Sequence, residues 1–361
     1  MRVYNFSAGP AMIPDEVMQI AQAEFSDYKS CGSGIMELSH RGALFTEVIK
    51  RAEGNIRELM GLSDDYAVCF VQGGAWMQFA MVPMNLLNGG SADYVDTGTW
   101  SSSAIKEAGR YGTVNVIASS KETKYDRIPE IRHWKPTEGA KYVHITSNNT
   151  IYGTQYHEFP PVVEGVPMVA DMSSDIMSRV INVNDFGLIY AGLQKNLGPS
   201  GMAMVIVRKD LVKDEELPKW VPSMLRYKTY IDKENLFNTP ATFAIYMLAL
   251  VTDWLKKQGG LKVVENINNT KSEAIYEILN QSSFYRSPVQ PDSRSKMNVV
   301  FRLPNEELEA KFVKEANAAG MTGLKGHRSA GGIRASIYNA VPLKGVEKLV
   351  DFMLEFEKKN S

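Results

Sequence analysis

The sequence predicts an α/β protein: a large domain built on a mostly parallel seven-stranded sheet flanked by helices, then a small C-terminal α+β domain. Three observations predict it. Seven short apolar runs, at 66–71, 93–96, 114–118, 142–146, 166–172, 188–193 and 203–207, are spaced and interleaved with helical periodicity as in α/β domains. Most are apolar throughout rather than alternating, so helices should cover both faces of the sheet. After Gly259-Gly260 the pattern changes to strand, helix, strand, helix.

In chain order, residues 1–13 read as an irregular arm with a Gly9-Pro10 turn, and Pro14-Asp15 opens a helix predicted to run to about Tyr28. A polar, glycine-bearing loop at 31–42 ends in His40-Arg41. An amphipathic helix at 43–60 has Phe45, Val48, Ile49, Ile56 and Leu59 on one face. Helices at 75–87 and 101–111 separate the first strands, and 239–257 is a long helical run. The predicted domains are therefore 1–258 and 259–361. In the second, helices at 261–279, 306–319 and 346–358 accompany strands at 297–303 and 333–338.

Composition narrows the function classes. The 361 residues carry a formal net charge of −1, with no long basic run, which argues against nucleic acid or a membrane surface as partner. The longest apolar run, 244–251, is too short to span a bilayer, and the first residues have no apolar signal-peptide core. Cys31 and Cys69 form neither a metal motif nor a disulfide framework and read as small buried residues; a cytoplasmic protein is expected.

The stretch 186–208, FGLIYAGLQKNLGPSGMAMVIVR, is a strand, a polar turn and a strand, with Lys195 in the turn. Apolar flanks hold its ammonium near a core edge, where desolvation lowers the pKa and favours a nucleophilic amine. The alternative is a turn lysine that snorkels to water. Asp171 ends an apolar run one strand earlier, where side chains point into the ligand crevice of such sheets, or else it caps a turn. A lysine and a carboxylate at neighbouring strand ends match the needs of pyridoxal 5'-phosphate (PLP), which bonds to an amine and needs its ring nitrogen kept charged. Gly73-Gly74 sits at a strand-to-helix junction, either as a phosphate cradle or as a plain turn. Trp100, after Thr97-Gly98-Thr99, either faces a ring or anchors the core, and Trp76 poses the same choice. The loop GLKGHRSAGGIR gathers Lys325, His327, Arg328 and Arg334, which suits an anionic substrate or a solvated basic surface.

These segments, with FSAGPAM, MELSHRG, DYVDTGTWSSSAIKEA, SNNTIYGTQ, VADMSSDIMSR, NTPATFAIY and GHRSAGGIRASIYNA, make the chain resemble, nearly end to end, the phosphoserine aminotransferase family, a class V group of PLP-dependent enzymes of fold type I. The resemblance implies transfer of the amino group from L-glutamate to 3-phosphohydroxypyruvate, as in serine biosynthesis. It leaves open a phosphorylated hydroxythreonine substrate of vitamin B6 biosynthesis. Lys195 would carry the cofactor and shuttle the proton, Asp171 would pair with the ring nitrogen, Trp100 would stack on the ring, and Thr150 would bond its phenolic oxygen. Gly74, Ala75, Ser174 and Gln194 would surround its phosphate, with Asn238 and Thr239 from the other subunit of a homodimer. Arg334 would take the α-carboxylate. His40, Arg41, His327 and Arg328 would take the distal anionic group, and Ser7 would lie nearby.

One departure stands out: some members carry an arginine where this chain has Trp76. Competing readings are another class V activity such as serine–glyoxylate transamination, or a non-catalytic dinucleotide-binding module. The absence of G-x-G-x-x-G argues against the second, and the absence of any cysteine after Cys69 argues against a desulfurase.

Overall fold

The computed structural model describes residues 2–130, 135–213, 215 and 217–361, so Met1 of the N-terminal arm lies outside the described residues. The main sheet contains β1 (Tyr66–Gln72), β2 (Ser91–Asp96), β3 (Thr113–Ser119), β4 (Ala140–Thr146), β5 (Met168–Asp171), β6 (Leu188–Gly192) and β7 (Met202–Arg208). Their spatial order is β1-β7-β6-β5-β4-β2-β3. Six strands share one direction. β7 alone runs antiparallel to both neighbours, because the chain reverses after β6 instead of crossing over through a helix.

Alternate residues of the central strands feed two cores. Met168 and Ala170 of β5 and Ile189 and Ala191 of β6 pack with α2 (Ala43–Met60) and the buried face of the long helix Thr242–Lys257. Val169, Leu188 and Tyr190 face the other way, towards α3 (Gly74–Leu86) and α4 (Thr99–Ala108). The edge strand β3 is covered less completely than the runs beside it, and Val116 is exposed.

Several boundaries differ from the sequence pattern. The first helix, α1 (Asp15–Ala23), stops well before Tyr28, which leaves the helix axis to pack edge-on against Tyr246, at 6.0 Å between ring centroids. The helix Thr242–Lys257 begins after Pro240, whose ring disfavours helical geometry at Thr239. Cys31 is exposed and only Cys69 is buried.

The C-terminal part pairs Asn298–Phe301 antiparallel with Ile333–Ser336, under the helices Glu306–Ala318 and Leu343–Asn360. The arm read as irregular contributes to this part. Tyr4–Asn5 pairs parallel with Met321–Thr322, and Phe6 and Met12 enter the same core as Phe301, Phe312 and Phe356. The helix Leu261–Gln281 bridges the two parts: Leu261 and Val264 join the large core, Ile275 and Leu279 the small one. Among the described residues no helix is long and apolar enough to cross a membrane.

Candidate active site

The carboxyl ends of β4, β5 and β6 open onto a cavity of about 280 Å³, the place where open α/β sheets bind ligands. Asp171 is the last residue of β5, Thr146 the last of β4, and Lys195 lies three residues beyond β6. All three line the cavity.

The Lys195 side chain is half-buried, its open side facing the cavity, and its Nζ donates to Thr150 Oγ1 at 3.0 Å. Burial pulls its pKa down to about 8; the nearby Arg334 guanidinium adds to the effect and Asp171 opposes it. The amine is thus a nucleophile near neutral pH. Asp171 is buried, which raises its pKa, against the pull of Lys195 and of Ser173. Ser173 donates to Asp171 Oδ1 through both its backbone N–H (2.9 Å) and its hydroxyl (2.6 Å). The same hydroxyl accepts from Gly192 N at 3.1 Å, so one serine ties the end of β5 to the end of β6.

Beside these groups stands a cradle for an anion. Gly73 (φ +96°) and Gly74 (φ +67°) take left-handed backbone angles that suit glycine. They turn β1 into α3, whose N-terminus has no side-chain cap, leaving first-turn amides for a ligand. Ala75 of that turn lines the cavity. Opposite, Trp100 sits in the first turn of α4. Ser101 fixes that turn, its hydroxyl donating to Asp96 Oδ1 (2.9 Å) and accepting from the Thr97 and Gly98 amides. Trp76 meets Trp100 edge-on at 6.1 Å and is 61% exposed.

Four buried polar atoms of cavity residues have no partner among the described residues: Trp100 Nε1, Thr146 Oγ1, Gln194 Oε1 and Arg334 Nε. Buried polar atoms are almost always paired, so these fit a polar guest in the cavity. Together with the amine, the carboxylate and the cradle, they are a donor set that fits PLP.

The structure brings together Ala75, Trp100, Thr150, Asp171, Ser174, Gln194, Lys195, His327 and Arg334. The Ser174 hydroxyl donates to Asn148 O at 2.8 Å and accepts from Asn148 Nδ2. Arg334 Nη1 donates to Thr150 O at 3.4 Å. His327 bonds Ser329 Oγ through Nδ1, and burial, Arg334 and Arg328 all lower its pKa.

The other predicted residues do not line the cavity of the single chain. Gly74 directly precedes Ala75, and Ser7 directly precedes Ala8 and Gly9; Ala75, Ala8 and Gly9 do line it. Arg328 is exposed beside His327. Arg41 donates to His40 Nε2 (3.3 Å) at the surface ahead of α2. Asn238 donates to Thr239 O (3.1 Å) and to Gln72 Oε1 at the end of β1.

Sequence reasoning missed Ala8, Gly9, Phe79, Thr146, Asn148, Ile151 and Ser173. Phe79 follows Ala75 by one helical turn, and Ser173 follows Asp171 by two residues, the spacing at which an aspartate bonds the local backbone; those spacings could have pointed to both. Gly9 had no such signal: a Cβ there would meet Lys195 Cγ at 3.5 Å, a closeness only the fold reveals.

This sheet, with an amine and a carboxylate at adjoining strand ends, defines a PLP-dependent transferase of fold type I. The model of the family described as aminotransferase class-V matches residues 3–349, and the chain belongs to that family, within it to the phosphoserine aminotransferases. The phosphoserine aminotransferase of Desulfosudis oleivorans is 53% identical over 362 residues, covering 99% of each chain. That of Pseudomonas aeruginosa is 51% identical over 360 residues, again 99% of each. The solved phosphoserine aminotransferase of Bacillus circulans subsp. alkalophilus superposes with a TM-score of 0.97 at 51% identity, over 100% of this chain and 99% of that one. The PLP-bound structure from Trichomonas vaginalis gives 0.92 at 35% identity, over 98% and 100%.

Proposed function

We propose that the protein transfers the amino group of L-glutamate reversibly to 3-phosphohydroxypyruvate, giving O-phospho-L-serine and 2-oxoglutarate in serine biosynthesis. The observation that carries this reading is the Lys195 amine, brought to a pKa of about 8 in one cavity with the Asp171 carboxylate. PLP, when bound, supplies an electron sink for the bond broken at the substrate's Cα. Lys195 would hold the cofactor, and its amine would take and return the proton at the substrate's Cα. Asp171, oriented by Ser173, would keep the ring nitrogen charged. Trp100 and Thr150 would orient the ring, and the capless start of α3, with Gln194 and Ser174, would receive the phosphate.

Arg334 takes the α-carboxylate of either substrate through its guanidinium fork. His327 and Arg328 take the distal phosphate or carboxylate. The placement of His40, Arg41, Asn238 and Thr239 outside the single-chain cavity supports a homodimer in which they serve the neighbouring copy's site. The division into residues 1–258 and 259–361 belongs to the same reading, as does a cytoplasmic location, supported by two unpaired cysteines, one of them exposed.

Lys195→Ala tests the reading. The variant is expected to keep the wild-type circular dichroism spectrum, to fix no cofactor on borohydride treatment, and to lose turnover. Wild-type turnover in that variant would contradict it.

A further inference from the structure

The helix Leu261–Gln281 turns polar side chains inward at one place. Asn268 and Lys271, one turn apart, are both buried, and Lys271 has 0% of its surface exposed. Its Nζ donates to three backbone carbonyls: Ile337 O at 2.9 Å, Tyr338 O at 2.8 Å and Val341 O at 3.1 Å. An ammonium has three donors and no lone pair, so its protonated form matches three acceptors one for one. Burial opposes that charge and pulls its pKa down to about 7. An apolar side chain would fill the same space without that cost, but it could not gather three carbonyls around one point.

The segment so held, residues 337–341, touches the active site in three ways. It continues directly from the strand Ile333–Ser336, which carries Arg334. Tyr338 OH donates to Ala8 O at 2.8 Å, and Ala8 and Gly9 line the cavity next to Lys195. Asn339 N donates to Oδ1 of Asn196, the residue after Lys195, at 3.0 Å. Asn268 reinforces the joint, donating to Asn339 Oδ1 at 2.8 Å and to Ser178 O at 2.9 Å.

We infer that Lys271 is a positioning residue for substrate binding: a tethered amino group that gathers the 337–341 carbonyls and so holds Arg334 in register with the Lys195 turn. The inference rests on the reading of Arg334 as the carboxylate site proposed above.

Lys271→Met, of similar length but without donors, tests it on the PLP-loaded enzyme. The KM for glutamate is expected to rise about tenfold or more while kcat falls by less. Hydrogen exchange of the 334–341 amides, followed on apo and loaded protein, is expected to quicken about tenfold or more, with β4 to β6 unchanged. Phe312→Leu, in the core of the C-terminal part, serves as a control that lowers the melting temperature without moving KM. A residue that only stabilises the fold would behave like this control. A Lys271→Met enzyme with wild-type KM and wild-type exchange at 334–341 therefore overturns the inference. Should that variant not fold, Lys271→Gln, which keeps two of the three donors, is expected to show the same changes at smaller size, and wild-type values there overturn it equally. If the wild-type protein does not use glutamate, the functional reading fails, and the exchange measurement on apo protein still decides the role of Lys271.

Discussion

The reactivity of Lys195 can be put to a quantitative test through its proton. An ordinary lysine titrates at 10.5, whereas Lys195 is brought to about 8 by burial and by Arg334. Near pH 7.5 an ordinary lysine has roughly one neutral amine in a thousand, and Lys195 roughly one in four, a gain of about two-hundredfold in the reactive form. Only the neutral amine attacks an aldehyde, so the rate at which apo protein captures PLP should rise with pH and level off just above pH 8. Stopped-flow absorbance across a pH series reads this directly. The neighbours fix the direction of each perturbation. Asp171 favours the charged amine, so Asp171→Asn should move the midpoint to lower pH. Arg334 disfavours it, so Arg334→Met should move the midpoint up. A midpoint at 10 or above in the wild type, or an upward shift in Asp171→Asn, would refute the argument that the fold activates this amine.

Two further outcomes follow from the hydrogen bonds. Ser173→Ala removes a donor to Asp171 and leaves the buried Gly192 N–H unpaired, so urea denaturation of the apo protein should show a loss of about 1–3 kcal/mol. In the same variant the Asp171 carboxyl should become harder to ionise, because the serine's bonds lower its pKa, and PLP retention on dialysis should weaken. Arg334→Ala should raise the KM for glutamate far more than it lowers kcat; an unchanged steady-state profile would remove it from the substrate site.

The sheet was legible because each strand is an apolar run bounded by glycine or polar residues, and Lys195 and Asp171 stand at the ends of two such runs. Local pattern put Lys195 in the turn after one of them and left a solvated lysine as the alternative. It could not reveal that the arm residues Tyr4 and Asn5 form a strand with Met321 and Thr322, a pairing between opposite ends of the chain that two residues cannot announce. The early end of α1 had a similar cause: Tyr28 fits a helical pattern but is claimed by Tyr246, far along the sequence. Lys271 shows the limit most clearly. In sequence it is one lysine among polar neighbours of a helix, and only the fold brings three carbonyls around it. His40, Arg41, Asn238 and Thr239 were singled out from motifs, and in the single chain they stand apart from the cavity.

The most direct test of the account is the absorbance of the PLP-loaded protein during two sequential additions. Glutamate should abolish the absorbance of the lysine-bound cofactor, and 3-phosphohydroxypyruvate added next should restore it. A spectrum indifferent to glutamate, or one restored by glyoxylate but not by the phosphorylated oxo acid, would contradict it.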